Sequence, residues 1–136
     1  MWETEINYLA VLAAAAAAMV IGFIWYAKSV FGTAWMAEIG KSEADIKAGY
    51  KPTMFLWSFI LALVEAWVLA VFTGLLDNST LPHGLQTAFW LWLGFTAVPF
   101  GVDAIYNGKS RKLYWITAGY HLVTLLVMGV ILAVWR

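Results

Sequence analysis

Residues 6–26 read INYLAVLAAAAAAMVIGFIWY, a run with no charged side chain. At ~1.5 Å rise per residue, a helix of this length crosses a hydrocarbon core of about 30 Å. Within it Ala10, Ala14, Ala18 and Gly22 recur at every fourth position. On a helix they line up as one ridge nearly free of side chain, against which a second helix can lie at backbone distance. Ser58, Ala62, Ala66, Ala70 and Gly74 repeat that spacing in the next apolar run. The two ridges predict close packing of the first two membrane helices. The competing explanation is that alanine is simply a strong helix former in a bilayer.

Outward from this stretch the rest of the chain is of the same kind. Hydrophobic residues make up 63% of it and charged residues 12%, which no water-soluble domain of this size carries. Further apolar runs at about 53–76, 82–106 and 113–135 are each long enough to span a bilayer. The expected fold is therefore an all-α membrane protein: four transmembrane helices forming a single domain over residues 1–136, with a short interfacial helical loop between helices one and two. A net charge of zero leaves no basic face for nucleic acid, and the absence of cysteine removes disulfides, thiol nucleophiles and thiolate metal sites. The N-terminus is not a secretory signal on this reading. Met1 to Glu5 carries two glutamates and no Lys or Arg, and the apolar run outlasts a signal's hydrophobic region.

Local signals refine the picture. Between helices one and two, Val30, Phe31, Trp35, Met36 and Ile39 fall on one side of a helical wheel and are closed by Gly40. Ser42-Glu43-Ala44-Asp45 is a capping-box pattern, which starts a second short helix that ends near Gly49. Pro52 suits a first-turn position of helix two. Asn78-Ser79-Thr80 matches a glycosylation sequon, meaningful only in a eukaryotic secretory setting. Inside helix three Pro99 removes one backbone donor and crowds the Phe95 carbonyl, so a kink is expected there, with Thr96 at hand for the freed backbone.

Charge sets the orientation. Lys28, Lys41, Lys47 and Lys51 lie in the first loop and Lys109, Arg111 and Lys112 in the third, leaving only Arg136 elsewhere. By the positive-inside rule loops one and three are cytoplasmic and both termini extracytoplasmic, in a membrane crossed several times. Trp2 and Trp135 then mark the outer interface, and Trp25, Trp35, Trp57 and Trp115 the inner one. Trp67, Trp90 and Trp92 lie deeper, either as packing or as the lining of a pocket.

Thr117 to Gly129 (TAGYHLVTLLVMG), together with residues 7–12 (NYLAVL), 22–26 (GFIWY) and 31–36 (FGTAWM), resembles a small bacterial four-span membrane-protein family catalogued as domain of unknown function 1761. That resemblance covers nearly the whole chain. It implies a four-span inner-membrane protein of about this length and brings no activity and no catalytic residue with it.

Candidate chemistry lies in the polar groups that a bilayer makes expensive. A charge at the membrane centre costs on the order of 2.5 to 3.5 kcal/mol, so Glu65, about 18 Å from the start of its helix, has to be neutral, partnered or beside water. His121 is about 12 Å into helix four. Around these two, Tyr120, Thr96, Trp67 and Trp92 complete an expected intramembrane polar site. The bland alternative for both Glu65 and His121 is an interhelical hydrogen bond. Asp103 is expected to pair with Lys109 or Arg111, and His83 to be solvated. There is no metal-ligand spacing, no phosphate loop and no nucleophile beside a base, so no enzyme is expected. No cofactor is called for either, because His121 alone offers a haem one axial ligand. Two readings stand: binding or transport of a small molecule, an ion or a proton through a Glu/His site, or a non-catalytic accessory or structural subunit of a larger membrane complex. The partners implied are the lipid bilayer, further copies of the chain or other membrane subunits, and no nucleic acid.

Overall fold

The structure is a computed structural model that describes residues 4–136. The interface position expected of Trp2 lies outside the described residues. The elements are α1 (Tyr8–Trp25), a π-helical turn (Lys28–Gly32), α2 (Thr33–Ile39), α3 (Glu43–Gly49), α4 (Pro52–Leu75), α5 (Leu81–Trp92), a second π-helical turn (Leu93–Ala97), α6 (Val98–Tyr106) and α7 (Arg111–Val134). Four helices are long and apolar enough to cross a membrane: α1, α4, the α5–α6 rod and α7. The chain is an all-helical membrane protein.

Short polar side chains start the helices, as the orphan N–H groups of a first turn demand. Asn7 accepts from the amides of Leu9 and Ala10, Thr80 from His83, and Ser110 from Leu113. Ser42 and Asp45 form the full reciprocal capping box, with bonds of 3.1 and 3.0 Å. Between α1 and α4, α2 ends at Gly40 with φ +70°, where the Lys41 amide reaches the Met36 carbonyl. The loop expected to lie at the interface is thus two short helices entered through a π turn.

Helix α7 is the centre of the molecule and packs against α1, α5 and α4. Helices α5 and α7 approach to backbone contact. A Cβ on Gly129 would lie 2.6 Å from the Gly84 carbonyl oxygen and 2.9 Å from the Ala88 Cβ. Gly84 and Ala88 on α5, and Gly129 and Ala133 on α7, are therefore a second small-residue pair, absent from the ridges picked out above. Between α1 and α4, Ala10, Ala14 and Ala18 are buried, as are Ala62, Ala66 and Ala70. The ends of these ridges are turned elsewhere. Gly22 faces the Tyr120 phenol of α7, Gly74 faces Thr4, and Ser58 is exposed.

Hydrogen bonds sort the loops into two ends. The Asn7 amide donates to the Trp135 carbonyl (3.3 Å), and Arg136 pairs with Asp77 (2.9 Å) and donates to the Asn78 carbonyl (3.3 Å). Both described chain ends and the α4–α5 turn thus share one face. At the other face the Ser110 hydroxyl donates to the Glu38 carboxylate (2.6 Å), joining the first and third loops. Lys28, Lys41, Lys47, Lys51, Lys109, Arg111 and Lys112 all belong to that second end. Asn78, the sequon residue, is buried at 6% exposure and its amide donates to Thr87.

Candidate functional site

Glu65 lies near the middle of α4, ~20 Å along the helix from Pro52. Half-buried, it meets no hydrogen-bond donor or cation among the described residues. It lines a cleft of about 450 Å³ whose walls are Val68, Leu69 and Phe72 of α4, Leu91 of α5, and Phe95 and Thr96 of the second π turn. Leu125 of the central helix forms the floor. The cleft exists because α4 touches α5 only slightly and has no extended contact with the π turn or α6. Three sides of the four-helix square are closed. The fourth is open at mid-depth.

The π turn that forms one wall has a cause in the sequence. Pro99 carries no N–H and its ring crowds the carbonyl of Phe95, so a regular α-helix cannot pass. The chain widens by one residue instead, and the Val98 amide reaches back five positions to the Leu93 carbonyl. The sequence predicted a kink at Pro99; the structure realises it as a π turn. At the end of that turn the Ala97 carbonyl accepts from the Tyr114 hydroxyl of α7 at 2.8 Å. The π turn thus supplies Phe95 and Thr96 to the wall of the cleft that holds Glu65.

Of the other expected site residues, only Thr96 lines that cleft. Tyr120 points the other way and donates to the Ala18 carbonyl of α1 (3.2 Å), with Thr124 and Glu65 as its polar side-chain neighbours. Thr124, one turn along α7, is 1% exposed and its hydroxyl has no hydrogen-bond partner among the described residues. His121 stands edge-on to Phe100 of α6, with ring centroids 5.2 Å apart. It is one helical turn from Leu125, so it occupies the same face of α7 nearer the third loop. Neither a hydrogen bond nor an ion pair links it to Glu65 among the described residues. Trp67 points outward, 45% exposed, and Trp92 is buried, its indole donating to the Ala118 carbonyl at 2.8 Å. Asp103 pairs with Lys109 and accepts from Asn107, and His83 is exposed.

Sequence reasoning missed the apolar walls, Leu91, Phe95 and Phe72, and the aromatic clips. The Trp25 indole donates to the Ile116 carbonyl at 2.9 Å, and the absence of a side chain at Gly119 leaves room for that ring. The family model described as protein of unknown function (DUF1761) matches residues 9–133. The chain belongs to this family. No curated protein and no solved structure matches it. In this DUF1761 chain the segment 117–129 is the middle of α7: it receives the Trp92 clip, packs the Trp25 ring on Gly119, and carries Tyr120, His121 and the Gly129 crossing.

Proposed function

We propose that the chain is a membrane-embedded binding and transport protein for a small molecule, an ion or a proton, with Glu65 as its binding group. The observation that carries this is an acidic side chain near the middle of its membrane-spanning helix, without a partner among the described residues, in a cleft walled on one side by a broken helix. An unpaired carboxylate there costs several kcal/mol, so the site favours whatever neutralises it, a proton or a cation. Non-α backbone at membrane depth is tolerated where it lines a cavity, and π turns recur beside functional groups. Tyr120 on α7 is the neighbouring titratable group, and Thr96 supplies a hydroxyl.

Infrared spectroscopy of the protein in lipid nanodiscs tests the reading. A carboxylic acid band that changes with pH and vanishes in Glu65→Gln is expected. If no band depends on Glu65, or if Glu65→Gln disrupts a defined oligomer and does nothing else, the accessory-subunit reading takes its place. The proposal extends to orientation: the lysine-rich end faces the cytoplasm of a bacterium and both termini face outward, as the positive-inside rule requires.

A further inference from the structure

We infer that the Glu65 cleft takes a hydrophobic organic monocation, entering sideways from the bilayer. The inference rests on the reading of Glu65 as a binding group and names the class of ligand. Three features select it. The first is charge: the cleft offers one carboxylate and no cationic side chain, so it complements a single positive charge and opposes an anion. The second is the lining, which apart from Glu65 and Thr96 is entirely apolar. A small hydrated ion such as sodium needs several oxygen ligands in place of its water, and two side chains do not supply them. A cation carrying its own hydrocarbon leaves that shell behind at little cost. Phe72 and Phe95 add aromatic rings, whose faces attract an organic cation.

The third feature is access. Phe95 is 77% exposed and Val68 41%, both at mid-depth on the outside of the bundle, where the surrounding medium is lipid. Behind the cleft the way is closed by Leu125, 7% exposed, and Leu69, 2% exposed. The open side is therefore the lipid side. A volume of about 450 Å³ falls within the ~300–1,000 Å³ of small-molecule pockets.

The test uses tetraphenylphosphonium, a permanently charged aromatic cation, with tetraphenylmethane and tetraphenylborate as neutral and anionic probes of the same shape. Binding is measured by equilibrium dialysis on full-length protein in nanodiscs. Wild type should bind the cation, and Glu65→Gln should weaken it about tenfold or more. Glu65→Asp should retain binding. Phe95→Leu should keep the fold and weaken binding a few-fold. Equal binding of the neutral probe would mean an apolar slot for lipid chains and would overturn the inference. So would cation binding unchanged in Glu65→Gln, or a cleft covered by a second copy, seen as crosslinking between Phe95→Cys chains in a dimer. If the cation fails to bind while the Glu65 carboxyl still responds to pH in the infrared, the ligand class is wrong and the reading of Glu65 stands. If that response is absent too, both fall.

Discussion

Trp92 and Trp90, two residues apart on α5, have opposite fates. Trp92 is 5% exposed with its indole bonded to the Ala118 carbonyl, whereas Trp90 is 65% exposed toward the bilayer. In hydrocarbon an interhelical hydrogen bond is modest, averaging about 0.6 and reaching about 1.7 kcal/mol. Trp92→Phe should therefore destabilise the protein by about 1–2 kcal/mol, bond and lost volume together, in unfolding by denaturing detergent. Trp90→Phe should change nothing measurable. Equal losses would mean that the Ala118 bond contributes nothing. Depth alone put Trp92 beside Glu65 in the sequence reading, but depth does not give direction around a helix. The direction was legible in the four-residue row Gly84, Ala88, Trp92, all buried against α7. Glu65 itself stood out from sequence because a lone acid in an apolar run needs no geometry to be conspicuous. Its apolar neighbours across the cleft did not, since Phe95 and Leu91 look like any other lipid-facing residue until α4 and the π turn are known to stand apart.

Among the elements, those with local causes were the most readable. The Ser42 box, Pro52 at a first turn and Gly40 at a C-terminus act within one turn of chain, and each is present. Glu43 in α3 is held below the usual carboxylate range by hydrogen bonds from Lys28 and Lys47. The sign follows: a depressed carboxyl stabilises above its unfolded value of about 4.3, and that contribution is lost as pH falls through the lower folded value. The Glu43 carboxyl carbon should accordingly titrate below an unperturbed glutamate by NMR, and Lys28→Ala should move it back up. A midpoint unaffected by that change would remove the Lys28–Glu43 pair from α3's anchoring. Close helix crossings were only half legible. The alanine rows of α1 and α4 are long enough to notice, while the backbone contact of α5 and α7 rests on only two small residues each. Gly129→Leu should thus lower folded yield more than Ala14→Leu, because its Cβ meets backbone and not only side chain. The reverse order in size-exclusion profiles would shift the weight back to the α1–α4 pair.

At the scale of the whole molecule, four spans bring both described chain ends to one face, and Arg136 is tied there to Asp77 and Asn78. Lys and Arg then partition without conflict: every one before Arg136 belongs to the loops at the opposite face, joined through Ser110 and Glu38. Some of those charges are internally paired, Lys28 and Lys47 with Glu43, and Lys109 with Asp103. Pairing does not weaken the orientation argument, because acidic residues contribute little to the rule that sets topology. Lys41, Lys51, Arg111 and Lys112 remain, divided between both loops of that face, so neither hairpin can invert without carrying cations across. A periplasm-active reporter such as alkaline phosphatase fused after Arg136 should be active in a bacterial inner membrane, and the same reporter inserted after Gly40 or Asn107 inactive. Exchanging the cationic residues of the third loop for Gln should leave the orientation intact, since the first loop alone retains the bias and the first helix usually dominates. Full activity at both Arg136 and Gly40 would mean that the chain inserts both ways, and the lysine-rich face would then lose its assignment to the cytoplasm.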